Sequence, residues 1–364
     1  MEVDGVDDAS IARWRAHTMR LWGQTFPSAE AVVDGMLAVQ GENPSQAAWA
    51  VATRTATPCQ DTYDRAFDDG ALLRTHVLRP TWHLVRPDDI RWLLDVTRPG
   101  IRRSYAQQQR SLGVEDATLH RARDLIVATL DDGQPRTRPE LGKVLAAAGL
   151  PGEGSPLGLL LSDAELEALI CSGPLRDGQH THVMLEHRAP HARQLDRDAA
   201  LAALAMRYVR SHGPVTERDL AYWASLTLTD ARAGLSAVAD QLDAFDHDGR
   251  RFWFHDPPPP TDVPVEPRAH LLQTLDEIHN GVQDSRHVLD VARLRPAGRP
   301  VSVGMVLVDT QIVGGMRRTV ADRRVRFDLQ FLRDLDGDET AAVHDAAARY
   351  GAFLDREPVV LGAR

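Results

Sequence analysis

The chain is nearly without lysine. Of its 42 basic residues only Lys143 is a lysine, and all the others are arginines. An arginine guanidinium stays protonated and forms no Schiff base, so amine-based covalent catalysis has one side chain and the N-terminal amine to draw on. Cysteine is as scarce: Cys59 and Cys171 are the two present. That excludes a disulfide scaffold and a multi-cysteine zinc site and fits a reducing cytoplasm. Aromatic residues make up 5%, which argues against a stacking platform for single strands. No apolar run approaches the ~18 residues of a membrane helix. The opening MEVDGVDDAS is acidic, unlike a signal peptide. A G-x-G-x-x-G fingerprint after a strand is absent, as is G-x-S-x-G. Gly314-Gly315 leads into Met316-Arg317-Arg318 without the spacing or lysine of a phosphate loop.

What is present is a long globular chain. At roughly 150 residues per domain, 364 residues suggest two to three domains. A hydrophobic fraction of 43% against 26% charged residues is a soluble balance. The net charge of −10 is unevenly spread. Glu2, Asp4, Asp7 and Asp8 put −4 in the first eight residues. Residues 74–110 hold eight arginines and three aspartates, and residues 317–326 hold five arginines and one aspartate. For a phosphate backbone such local basic surface matters more than the total; otherwise these stretches are solvated helix faces.

Element signals fall into a repeating order. Ile11, Trp14, Met19 and Leu21 have helical spacing, and Ser28 is a good N-cap for a helix Ala31–Val39. Gln40 to Pro44 then reads as a helix end and turn, followed by a helix Ser45–Thr55. Residues 73–85, broken by Pro80, read as a strand pair or bulged edge strand, and 86–96 starts a helix with acidic residues in its first turn. Further on, a helix 120–131, a capping box at Thr137 and Glu140, a second at Ser162 and Glu165, and a strand–turn–strand to Glu186 give three helices and a ribbon. A helix 198–211, a third box at Thr216 and Asp219, a helix capped by Thr229 and a hairpin at Asp248-Gly249 repeat that order. This is the winged-helix order. Six prolines in 257–268 make a stiff strap. Strands at 301–308 and 311–313, a further arginine-rich strand region, a helix 340–354 and a last strand at Pro358–Leu361 make a small α+β unit. The expected fold is therefore α+β, mainly α, with tandem winged-helix domains at 9–115, 116–195 and 196–256, and a Pro-rich linker with a C-terminal α+β unit at 257–364.

Few clusters carry chemistry. Gln40 and Glu42, separated by glycine, can point an amide and a carboxylate into one cleft. There a carboxylate can deprotonate a water; capping of a helix end is the plainer use of the same residues. His83 beside Trp82, and His76, fit packed strand histidines as well as catalysts. His180, His182, Glu186 and His187 invite a metal, but no second cluster with ligand spacing exists, so a wing touching phosphate is favoured. Asp334, Asp336 and Asp338 match a calcium loop poorly, since Glu339 stands where glycine is required; they suit an acidic N-cap.

Several stretches in order are similar to a known family. They are AVQGENPSQAAWAVATR (38–54), LLRTHVLRPTWHLV (72–85), DDIRWLL (88–94), TRPELGKVLAAAGL (137–150), ICSGPLRDGQHTHVMLEHRAP (170–190), RYVRSHGPVTERDLAYWASL (207–226) and VLVDTQIVGGMRRTV (306–320). The ordered set resembles the AlkZ/YcaQ-like bacterial winged-helix DNA glycosylases. The resemblance implies tandem winged helices cupping DNA and hydrolysis of the N-glycosidic bond of alkylated purines, crosslinked ones included in some members. The family's Gln-x-Gln or Gln-x-Asp falls on Gln40 and Glu42, where glutamate extends the carboxylate by one methylene. HLLQTLDEIHNG (270–281) departs from the Pro-Asn-Tyr-Asp-Glu-Tyr-like sequence of relatives.

The implied mechanism is monofunctional. Glu42 stabilises an oxocarbenium-like sugar and activates water, and Gln40 fixes the water, with Asn43, Trp82 and His83 in support. Arg74, Arg79, Arg102, Arg103, Arg317 and Arg318 are expected to hold phosphates, and Gln179, Thr181 and His182 of the wing to reach a groove. The expected partner is double-stranded DNA carrying alkylated bases. The enzyme is expected to act as a cytoplasmic monomer, with no cofactor, metal or membrane. The alternatives are a non-catalytic tandem winged-helix DNA binder, either regulator or lesion sensor, and a protein that sequesters a small alkylating natural product.

Overall fold

The computed structural model describes residues 5–295 and 304–361. Glu2 and Asp4 of the acidic start, and residues 301–303 of the strand expected at 301–308, lie outside the described residues. Helix α1 (Asp8–Thr18) leads to α2 (Ala29–Met36), strand β1 (Ala38–Gln40), α3 (Pro44–Ala52), α4 (Gln60–Asp68), β2 (Leu73–His76) and β3 (Trp82–Val85). The strands form an antiparallel sheet in the order β1-β3-β2. Ser28 caps α2 by accepting from Ala31 N at 3.2 Å. The helix expected to reach Val39 stops at Met36, because Leu37 takes a left-handed φ of 64°, a value costly for a leucine. The chain then extends as β1, so the Gln40–Asn43 segment joins a strand to a helix rather than ending one.

The long helix α5 (Ile90–Ser111) leads to a second copy of this order: α6 (Asp116–Leu130), β4 (Arg136–Thr137), α7 (Arg138–Ala147), α8 (Gly154–Leu166), β5 (Ile170–Ser172) and β6 (Thr181–Met184). Its sheet runs β4-β6-β5. The Thr137–Glu140 capping box forms as the sequence predicts. The one expected at Ser162 and Glu165 does not. Both lie within α8, whose apolar face (Leu157, Leu160, Leu161) starts earlier, and the Ser162 hydroxyl donates back to Gly158 O at 2.8 Å.

After a short helix α9 (Leu185–Arg188) the order returns as α10 (Arg197–His212), α11 (Glu217–Trp223), α12 (Leu228–Ala237), β7 (Asp243–His247) and β8 (Arg250–Phe254). Val215 bridges Trp253 in the place of the first strand. Thr216 caps α11 in a full box, and Thr227, not Thr229, caps α12. Asp248 and Gly249 both have positive φ, 47° and 71°, as a tight hairpin turn requires. The remainder is β9 (Ala269–Gln273), α13 (Glu277–Asn280), β10 (Gly304–Val308), β11 (Gln311–Val320), β12 (Arg324–Phe331), α14 (Gly337–Phe353) and β13 (Glu357–Leu361). These strands form one sheet, β13-β12-β11-β10-β9, and Asp336 caps α14 with Glu339. The architecture is mixed helices and small sheets, as the sequence leads one to expect.

The cores ignore the order of the chain. One joins α1–α4 to the C-terminal sheet and α14; there the Trp49 indole stacks on Tyr350 at 4.2 Å and donates to Leu271 O at 2.8 Å. A second joins α5 to α10–α12, with Trp92, Tyr208 and Trp223 fully buried. A third, of residues 114–170, belongs to the second copy alone. The seam between the first copy and the tail also holds a buried ion pair. Arg54 reaches Asp276 through Nη1 at 3.1 Å and Nη2 at 2.7 Å, and gives further bonds to Met19 O and Ala50 O. Breaking a buried pair from one side leaves the other charge unpaired, at a cost of about 3–5 kcal/mol. Arg54→Met is accordingly expected to lower the urea midpoint markedly, and a midpoint unchanged from wild type would contradict the seam's importance.

Candidate active site

The segment after β1 is held from several sides. The Gln40 main-chain N–H donates to Glu277 Oε1 at 2.9 Å, its Nε2 donates to Thr81 Oγ1 at 3.0 Å, and its Oε1 accepts from Glu42 N at 2.8 Å. Gly41 N–H donates to Trp82 O at 2.7 Å, and Arg74 Nε donates to Gly41 O at 2.8 Å. Asn43 Oδ1 caps α3, accepting from Gln46 N at 3.2 Å and from Ser45 Oγ at 3.1 Å. Gln40 is fully buried and Glu42 is exposed. The clamp therefore presents the Glu42 carboxylate, while the Gln40 amide faces Glu42 N and Thr81 rather than the cleft. Glu42 Oε2 accepts a long hydrogen bond of 3.3 Å from Trp82 N.

Glu42 stands on a cleft of about 500 Å³ between the first and second copies, shared with His76, Trp82, Tyr105, Arg138 and Ser162. That volume is within the ~300–1,000 Å³ of ligand sites. Its floor is a buried imidazole–carboxylate pair. Glu165 Oε2 meets His76 Nδ1 at 2.6 Å and accepts from His76 N at 2.8 Å; Glu165 Oε1 accepts from Trp82 Nε1 at 3.4 Å and lies 3.6 Å from His182 Nε2. Burial opposes the Glu165 charge, but His76 and His182 outweigh it and hold the carboxyl well below its usual range. Burial raises the Tyr105 hydroxyl well above its ordinary value. Trp82 is enclosed, with the Arg74 guanidinium 4.3 Å over its ring and the His76 ring at 4.1 Å.

Several arginines expected to hold phosphates are used inside the protein. Arg74 braces Gly41 and Trp82. Arg79 is buried and donates to Asn280 O at 2.9 Å, with His83 Nε2 at 3.1 Å and Glu277 at 3.8 Å. Arg102 pairs with Asp163 at 2.9 Å and with Glu167. Arg318 donates to Ser45 Oγ at 2.7 Å and to the Tyr350 hydroxyl, tying β11 to the cap of α3. Arg103 and Arg317 are exposed, and among the described residues neither makes an ion pair. In the wing of the second copy Gln179 is exposed, whereas Thr181 is buried and donates to Pro174 O at 2.6 Å, and His182 turns toward Glu165. Glu186 pairs with Arg91. Charge counting cannot separate arginines paired within the protein from free ones, and Arg74, Arg79, Arg102 and Arg318 are among the former.

Three site residues escape sequence reasoning. Glu165 was read as a helix cap and Ser162 as its partner, although both line or underlie the cleft. Glu277 lies in the segment that departs from the family pattern. Fully buried, it accepts from Gln40 N and from Trp223 Nε1, each at 2.9 Å, with His212 Nε2 at 3.4 Å. Burial raises it, but the His212 hydrogen bond and Arg79 bring the carboxyl down to about 2. Only its long-range partners reveal it.

His83 is structural. Its Nδ1 donates to Thr81 O at 3.0 Å and its Nε2 accepts from Arg79. Burial, and then Arg79, push it down to about 3. The folded protein thus disfavours the imidazolium. Its stability is full above the ordinary histidine value of ~6.5 and falls as pH drops from there toward 3. His83→Gln keeps a donor and an acceptor without titrating. The variant is expected to lose up to one proton's worth of the acid slope of stability in that window, read from urea midpoints between pH 7 and 4; an unchanged slope would contradict the assignment.

The model of the AlkZ-like DNA glycosylase family matches residues 33–353. The curated "Interstrand DNA cross-link repair glycosylase" of Streptomyces sahachiroi is 27% identical over 254 residues, 66% of this chain and 67% of that protein. The solved structure of Streptomyces sahachiroi DNA glycosylase AlkZ is similar with a TM-score of 0.73 at 22% identity, covering 98% of this chain and all of that one.

Proposed function

The chain belongs to the AlkZ-like DNA glycosylase family, and we propose that Glu42 is the catalytic base with which it hydrolyses the N-glycosidic bond of alkylated purines. A purine alkylated at N7 or N3 is cationic and leaves as a neutral base. The remaining demands are to stabilise a cationic sugar and to deliver water. A carboxylate meets both, by charge and by accepting the water's proton. The observation that carries the reading is the exposed Glu42 carboxylate at the cleft, on a main chain clamped by Gln40, Glu277 and Arg74. Glutamate reaches one methylene farther from this fixed backbone than the family's aspartate, and has the length of the family's glutamine with a charge added. Gln40 acts as a positioning residue, since its amide oxygen holds Glu42 N.

In this reading the units at 9–115, 116–195 and 196–256 cup a duplex, and 257–364 braces the first. Arg103, Arg317 and Gln179 are the exposed contacts for the duplex. The enzyme works as a cytoplasmic monomer without a cofactor or metal. Among the described residues no helix is long and apolar enough to cross a membrane. The relative named for cross-link repair supports extending the substrates to crosslinked purines, because the cleft is open at its mouth.

Base release from a duplex carrying one 7-methylguanine tests the reading under single-turnover conditions. Glu42→Gln is expected to slow release by about 10²–10⁴-fold, the usual contribution of a positioned acid–base group, with duplex affinity retained. Full activity in that variant would remove Glu42 from the mechanism. Borohydride is expected to trap no protein–DNA adduct, in keeping with hydrolysis by water rather than by an amine.

A further inference from the structure

The wall of the cleft opposite Glu42 is a chain of hydrogen-bonding groups drawn from three elements. Tyr105 comes from α5, Ser162 from α8 and His76 from β2. Ser162 Oγ lies 3.2 Å from His76 Nε2, and the imidazole is held from behind by Glu165 at 2.6 Å. The Tyr105 hydroxyl reaches Pro80 O at 3.3 Å and also contacts Ser162. Glu165 makes no contact in the reaction proposed above, and its pairing is more elaborate than joining β2 to α8 requires. A buried carboxylate that orients an imidazole beside a hydroxyl at a cavity surface fixes where that hydroxyl oxygen sits and leaves its proton free to rotate.

We propose that Ser162 and Tyr105 form the leaving-group subsite, donating hydrogen bonds to the ring nitrogens of the departing purine, with His76 and Glu165 as their positioning residues. The proposal rests on the glycosylase reading of Glu42. As the C1′–N9 bond breaks, its electron pair moves onto the purine and accumulates at N9 and N3. Water forms the new C1′–O bond and passes its proton to Glu42. A cationic purine leaves neutral by this route and needs no proton from the wall. What it gains is a donor aimed where the electron pair arrives, which stabilises the transition state more than the ground state. The Ser162 hydroxyl now bonds Gly158 O at 2.8 Å, and Tyr105 makes only a long bond, so each can turn its one proton to an acceptor in the cleft.

The experiment pairs two readouts on the full-length protein: single-turnover release of 7-methylguanine, and affinity for a duplex with a tetrahydrofuran abasic site, which has no base to contact. Ser162→Ala adds a good helix former within α8 and Tyr105→Phe keeps the ring, so both are expected to fold. Each is expected to slow release by about 10–100-fold, with the double variant slower still and abasic-duplex affinity unchanged. Release at the wild-type rate in the double variant, with Glu42→Gln inactive, would overturn the subsite and leave the glycosylase reading standing. Slow release accompanied by an equal loss of abasic-duplex affinity would also overturn it, as the mark of a merely structural role. Activity in Glu42→Gln would instead overturn the reading on which the subsite rests.

Discussion

The structure turns on one buried carboxylate. Glu277 collects hydrogen bonds from Gln40 of the first copy and Trp223 of the third, with His212 and Arg79 close by. A charge fully removed from water persists only where donors surround it, and here those donors come from distant parts of the chain. Satisfying Glu277 therefore requires β1, α10, α11 and α13 to be assembled together. Its neighbour Asp276 does the same for Arg54. The two acidic residues join β1 and α3 to the body, and the position of Glu42 at the cleft follows from where they fix Gln40 and Arg54.

The same economy governs the arginines. A chain with one lysine has committed its cations to a side chain with five donors in a planar fork. Much of that capacity is spent on carbonyls and carboxylates inside the protein, as at Arg15, Arg54, Arg79 and Arg286. Basic residues thus support the cleft from within, and the surface left for phosphate is narrower than the composition of 74–110 suggests. Glu42, Tyr105 and Ser162 line one cleft; in the proposed reaction Glu42 serves the sugar and water, and the two hydroxyls serve the base.

Local signals in the sequence were legible. The boxes at Thr137 and Thr216 depend on residues three apart, the acidic N-cap of α14 on Asp336, and the Asp248-Gly249 hairpin on two adjacent residues. The recurring order of helices followed by a small sheet was also readable. Ser162 looked like another cap because the same residue types occur inside a helix whose apolar face had already begun. Ala38–Gln40 was absorbed into a helix because three buried residues fit either period. The contacts that make the site, Gln40 with Glu277 and His76 with Glu165, span 237 and 89 residues. No local pattern encodes such pairs, and the family resemblance pointed away from 270–281 where half of them reside.

In the proposed mechanism Gln40 serves catalysis through Glu42, whose main-chain N–H it holds, and not independently of it. A double-mutant cycle on single-turnover release of 7-methylguanine, comparing Gln40→Ala, Glu42→Gln and the combined variant, measures that dependence directly. The account predicts that Gln40→Ala slows the wild-type enzyme but slows the Glu42→Gln enzyme no further. Two losses that multiply would contradict it, and would return Gln40 to a separate role such as holding the water itself.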